Sequence, residues 1–229
     1  MKEHLSLLCD RYYEALDVST RMAFIPGQIY YAPILYPVKD IPYILKVDDY
    51  DPKGAKPTTF KIESFIKTKK GDYEHPPIKE LPLASDEFLF VQKGKMRACI
   101  CLADIEVDWA YRQKICLVAP IFGFNLRTEE IKNRVIGYQY PNLFFLPANP
   151  KMGLDKDSAV RLELIQPVLK GGMQPFGAAI DKKPVQLSRD AYYLLLNHLT
   201  KFISGKPFDE EIEKDVQDFQ TIIKGAIGE

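Results

Sequence analysis

Between Gln28 and Phe124 the chain is built almost wholly from short runs rich in Ile, Val, Tyr, Phe and Thr, broken by turn residues. The runs QIYYAPILYP, IPYILKVDDYD, TTFKIESFIK, EFLFVQ, RACICLADIEV and KICLVAPIFGF read as strands. Branched and aromatic side chains fit a half-buried pleated surface. Asp51-Pro52-Lys53-Gly54, Lys70-Gly71-Asp72 and the prolines Pro76 and Pro77 supply turn chemistry between them. Connections this short predict antiparallel neighbours, because a parallel crossover takes about a dozen residues or more and is usually a helix. Asn142 to Pro147 and Val160 to Leu169 add two strands; in the second, Val160, Leu162 and Leu164 alternate with Arg161 and Glu163 until Ile165 breaks the pattern. Nothing helical is expected between Gln28 and Pro147, which argues against a parallel doubly wound fold, and no Walker or dinucleotide glycine pattern is present.

Helical periodicity is confined to the ends. Leu5, Leu8, Tyr12, Ala15 and Leu16 recur at helical spacing and predict a helix over residues 2–22, before Pro26 and Gly27. Ser188 offers an N-cap to a second helix carrying Ala191, Leu195, His198, Leu199 and Phe202, stopped by Gly205 and Pro207. A third, Asp209 to Lys224, carries Ile212, Val216, Phe219 and Ile223. The order predicts a mainly β fold with added helices: a small barrel or strongly curved antiparallel sheet with helices on one side.

Composition narrows the function. The 229 residues hold 31 Lys+Arg and 31 Asp+Glu, a formal charge of zero, which excludes the broad basic footprint of a nucleic-acid coat protein. At 46% hydrophobic and 27% charged the chain can fill a core. No apolar run reaches the ~18 residues of a membrane span, and Asp10, Glu14 and Asp17 interrupt the N-terminus, so a cytoplasmic protein is expected. Cys9, Cys99, Cys101 and Cys116 include no C-x-x-C, and His4, His75 and His198 lack ligand spacing; buried reduced thiols, no metal and no cofactor are expected. His198 reads as a hydrogen-bonded core residue. Asp104, Glu106 and Asp108 share one strand face, either a solvated edge or, with oxygens from neighbouring strands, a site for Mg²⁺ or Ca²⁺. Trp109 beside Tyr111 is a contact anchor or core packing.

Four further segments stand in a telling order. Pro26-Gly27-Gln28-Ile29-Tyr30-Tyr31 sets a glycine before an alternating strand, and Met96-Arg97-Ala98-Cys99-Ile100-Cys101-Leu102 heads another with an arginine. Ile115 to Ile121 ends in Ala119-Pro120-Ile121, and Gly153 to Val160 leads into Leu164-Ile165-Gln166-Pro167-Val168 ahead of the Ser188 helix. In wording and order these resemble the MazF/PemK family of bacterial growth-inhibiting toxins, over residues 26–34 and 95–203, roughly half of the chain. The resemblance implies an SH3-like antiparallel barrel with a C-terminal helix, usually a homodimer, that cleaves single-stranded RNA without a metal and is neutralised by an antitoxin protein. On that reading the chain divides into an N-terminal helix (1–25), a barrel (26–205) with a β-rich insertion (36–95), and an acidic C-terminal helix (206–229).

Metal-free RNA cleavage needs the 2′-hydroxyl deprotonated, the pentavalent phosphate stabilised and the leaving oxygen protonated. The resemblance assigns these tasks to the strand arginine, here Arg97, and to a Thr or Ser after the Ala-Pro-Ile segment, where this chain has Phe122. A guanidinium suits phosphate through its two-donor fork, a surface ion pair being the ordinary alternative. Gln28, Lys95 and Lys114 are further candidate substrate contacts. A phenyl ring moves no proton, Ala98 replaces the family's proline, and Thr58, Thr59 and His75 are the substitutes the insertion offers.

Two functions stay open: a toxin-fold protein acting on single-stranded RNA, an endoribonuclease if cleavage survives Phe122, or a non-catalytic MazF-like module engaging a partner protein in a toxin–antitoxin, defence or regulatory system. No membrane partner is expected. Phe60, Lys61, Phe65, Lys67, Lys69, Lys70 and Tyr73 of the insertion either stack bases and hold phosphates or alternate between core and solvent. Residues 209–229 hold seven carboxylates and two lysines, a net −5 that leaves +5 on the remainder. That acidic helix either lies across a basic groove or carries its charge where a helix N-terminus favours it.

Overall fold

The structure is a computed structural model and describes residues 2–36, 43–49, 59–64, 90–92, 94–107, 113–123, 128–176 and 183–227. The chain forms two compact units, Met1–Ile34 with Lys95–Glu229, and Leu35–Gly94. Asp108, Trp109, Tyr111, Thr58, His75 and the turns at 51–54, 70–72 and 76–77 lie outside the described residues.

The larger unit begins with a turn of 3-10 helix, Lys2–Leu7, then strand β1 (Tyr13–Ala15) and a second 3-10 turn, Val18–Thr20. The helix expected over 2–22 is therefore not formed. Tyr12 and Tyr13 are 6% and 4% exposed, the Tyr13 hydroxyl donates to Pro147 O at 2.7 Å, and the Tyr12 and Tyr138 hydroxyls bond at 2.8 Å. Long-range anchoring of two adjacent tyrosines needs an extended backbone, and it overrides a weak helical period.

Strand β2 (Ile29–Leu35) follows. The smaller unit holds β3 (Tyr43–Asp49), β4 (Thr59–Ser64) and β5 (Phe90–Val91), with β3 paired antiparallel to both neighbours. The chain then enters two long strands, β6 (Gly94–Val107) and β7 (Gln113–Gly123), paired antiparallel across a bulge between Cys101 and Ala103. Helix α1 (Glu129–Ile136) comes next, where no helix was expected. Thr128 caps its N-terminus, Glu129 and Glu130 fill its first turn, and Gly137 ends it, so a start-and-stop signal was present in a segment only eight residues long.

After β8 (Leu143–Leu146), the stretch expected as one strand over 160–169 divides into β9 (Ser158–Arg161), a 3-10 turn at Leu162–Leu164, and β10 (Gln166–Leu169). Both pieces line the same edge of β7, β10 along Ile115 to Val118 and β9 along Ile121 to Gly123. The turn buries Leu162 and Leu164 together, which is why Ile165 fell out of alternation. Short strands β11 (Gln174–Pro175) and β12 (Val185–Leu187) pair with β2 and β1.

The main strand order is β11–β2–β6–β7–β9–β8, an open path with β10 on β7; among the described residues no ladder closes it into a barrel. The sheet is buried on both faces. Ile29, Ile100, Ala119 and Ile121 join the larger core with the helices, whereas Tyr30, Ala32, Ile34, Cys99, Cys101, Cys116 and Val118 join a second core with Val168 and Met173. Period-two alternation sends neighbouring residues to opposite cores. All four cysteines are free and buried, and burial pushes the Cys9 and Cys99 thiols up to about 12.

Helices α2 (Arg189–Ser204) and α3 (Glu210–Ile227) match the expected pair. Ser188 Oγ accepts from Ala191 N at 3.2 Å, and Gly205, at φ 73°, takes the left-handed position that ends α2. Buried Asn197 accepts from the backbone of Phe208 and Asp209 at 2.9 Å each, fixing the turn into α3. Val216, Phe219 and Ile223 bury the apolar stripe of α3, with Glu210, Glu211, Asp215 and Asp218 in solvent. The acidic helix thus packs by its apolar face. Its one buried carboxylate, Glu213, meets Lys201 Nζ at 2.5 Å.

Candidate functional site

Strands β6, β7 and β9 lie side by side in the larger unit. The ladder pairs Cys99 with Pro120, so continuing it two residues sets Arg97 opposite Phe122, and Phe122 pairs with Ala159 on its other side. Arg161 stands two residues beyond Ala159, on the same face. The result is a cluster of three side chains from three strands. The Arg97 guanidinium carbon lies 4.2 Å from the Phe122 ring centroid and that of Arg161 lies 5.2 Å from it. Each such contact contributes on the order of 0.5–2 kcal/mol, which holds two like charges near one ring.

Glu163 orients the second arginine: Arg161 Nη2 is 2.5 Å from Glu163 Oε1, and Nε donates to the same oxygen at 2.7 Å. A cavity of about 290 Å³ opens beside Phe122, with Val135, Leu143 and Ala159 as apolar walls and Asn142, Arg161 and Glu163 as its polar part. Arg161 lines this cavity with its Nε and Nη2 on Glu163, and Arg97 stands over the Phe122 ring that forms part of the wall; guanidinium N–H groups suit a phosphate or carboxylate. The phenyl ring at the centre gives neither acid nor base.

The sequence-predicted residues separate clearly. Arg97 and Phe122 come together, and exposed Lys95 stands two residues from Arg97 on the same strand face. Gln28 does not belong to the site: it is 1% exposed, and its Nε2 donates to Thr20 O at 3.1 Å and Arg21 O at 3.3 Å, bracing the chain before β2. Its amide nitrogen serves the backbone. Lys114 is exposed but sits eight residues before Phe122 on the extended strand β7, roughly 26 Å away, beyond the reach of the cluster. Asp104 forms an ion pair with Lys170 at 2.5 Å, and Lys170 lies 5.0 Å over the Phe24 ring.

Arg161 is the residue that the sequence reading missed. Its alternation opposite Val160 was visible, but the neighbour its strand would take was not. His198 sits among aromatic rings, 5.7 Å from Tyr138 and 6.2 Å from Phe144, and its Nε2 bonds Tyr140 O at 3.1 Å. Burial lowers its pKa below the ordinary 6.5.

These features define a β+α protein with an antiparallel sheet buried on both faces and a paired-arginine cluster on one of them. No protein-family model and no curated protein matches the chain. No helix among the described residues is long and apolar enough to cross a membrane.

Proposed function

We propose that this is a divergent MazF/PemK-like chain whose curved sheet is that family's SH3-like barrel left open at one seam, and that it binds single-stranded RNA at Arg97 and Arg161 without cleaving it. The observation that carries this reading is the Phe122 ring beneath both guanidiniums. It keeps the phosphate-binding charge of the resemblance and removes the proton-transfer group. Removing one transition-state hydrogen bond typically costs about 10² to 10³ in rate, and a loss of that kind falls at the position Phe122 fills.

The test is fluorescence anisotropy with a labelled single-stranded RNA across a salt series, with a fluorogenic cleavage assay in EDTA alongside. The expected result is saturable binding without cleavage. Arg97→Ala and Arg161→Ala each weaken it and lower the salt slope by about 0.7, the value for one phosphate contact on a single strand. Metal-free cleavage lost in Arg97→Ala would restore the enzyme reading, and no RNA binding by the intact protein would remove RNA as the ligand. The apolar cavity beside Arg161 and Phe122 favours a second reading, an acidic and apolar segment of an antitoxin-like partner protein held at the same cluster.

A further inference from the structure

A second cavity, of about 420 Å³, lies where α1 ends against α2 and α3. Arg134, Lys201 and Lys224 bring three cations to its wall, Gln139 and Gln220 bring amides, and among the described residues no carboxylate lines it. Three separate elements supply the cations, so the concentration of charge is a product of packing. No run of basic residues in the sequence announces it.

The cavity's electrostatics are shaped on both sides. A helix C-terminus turns carbonyls and a negative dipole end toward an anion, but the last-turn carbonyls of Asn133, Arg134 and Val135 accept from Gly137, Gln139 and Tyr138 N, and the two carbonyls that follow are covered as well. Gln220 Nε2 donates to Gly137 O at 3.0 Å and Tyr138 O at 3.2 Å, and Arg134 sits in the last turn with its guanidinium 4.9 Å over the Tyr140 ring. Lys201 is tied to Glu213, which leaves Arg134 and Lys224, both exposed, as the cations set toward a ligand.

We propose that this cleft is a binding site for a small phosphate monoester of nucleotide size, separate from the Arg97 cluster. Its volume falls within the range of small-molecule pockets and exceeds what inorganic phosphate needs. The paired cations take the phosphate, and Pro141 and Phe202 give the remainder of the ligand an apolar wall.

Isothermal titration at low ionic strength with AMP, inorganic phosphate and adenosine tests this. AMP is expected to bind saturably and more tightly than phosphate, with adenosine undetectable. Arg134→Gln combined with Lys224→Gln is expected to weaken AMP at least tenfold, with an unchanged melting temperature showing that the fold is intact; Lys224→Glu alone is expected to give a comparable loss if the double variant is unstable. Equal affinity for AMP and phosphate overturns the nucleotide-sized assignment. Absence of saturable AMP binding, binding indifferent to these variants, or binding lost in Arg97→Ala overturns the site.

Discussion

At the scale of single residues, buried polar groups distinguish what this chain stabilises from what it offers to a ligand. Tyr138 takes a left-handed backbone at φ 52° directly after the end of α1, a conformation that costs an L-residue roughly 1–2 kcal/mol. Its hydroxyl contacts with Tyr12 and Phe145 O, at 2.8 and 3.3 Å, help hold it there. His198 packs on the same ring and yields a pH prediction. Burial is the largest cause of its lowered pKa, and the nearby charges of Lys201 and Glu213 act in opposite directions. The folded chain therefore binds this proton less readily than the unfolded chain. Its contribution to stability is present above pH 6.5 and is lost as pH falls through 6.5 toward the lower folded value. Guanidinium unfolding at pH 8 and pH 5 should show a larger drop for the intact protein than for His198→Gln; equal drops would assign the pH dependence elsewhere.

At the scale of elements, caps decide where helices begin and end, and they are local enough to read from sequence. Ser188→Ala removes the acceptor for Ala191 N and is expected to lower stability by about 1 kcal/mol, whereas Ser188→Thr keeps a neutral hydroxyl acceptor at this buried position. Denaturant midpoints with an unchanged slope measure this, and an Ala variant as stable as the intact protein would mean that the Ser188 side chain contributes nothing. Strands were legible wherever both faces are apolar, as in β6 and β7, because burial on both faces leaves a near-continuous run of apolar residues between turn signals. The split of β9 from β10 and the strand at Tyr13–Ala15 were not legible. Each depends on which distant edge is available: β7 for the first and β12, some 170 residues away, for the second.

At the scale of the whole molecule, the insertion is a separate unit whose attachment points lie together. Gly27 N donates to Cys101 O at 2.7 Å and Cys101 N to Gln28 O at 2.9 Å, so β2 and β6 run antiparallel and their ends at Ile34 and Lys95 meet at one end of the sheet. Replacing residues 36–93 by a turn of about four residues is expected to leave the larger unit folded. Circular dichroism and a single cooperative thermal transition would show it; a molten or insoluble product would mean that the units need each other. The terminal helix is different. Its Val216, Phe219 and Ile223 belong to the main core, so its acidic face is carried outward by a structural element and does not mark a detachable mask.

The amino-acid sequence by itself determined the strand-rich character, the boundaries of α2, the start of α3, and the arginine that heads β6. These rest on short-range physics: side-chain alternation, cap chemistry and the conformational freedom of Gly27 and Gly205, at φ 87° and 73°. Only the tertiary structure decided that Arg161 joins Arg97 over Phe122, that Gln28 turns inward, and that Arg134 and Lys224 face one cleft. Those outcomes follow from register and packing between segments far apart in the chain, where a shift of one residue sends every side chain of a strand to the opposite face.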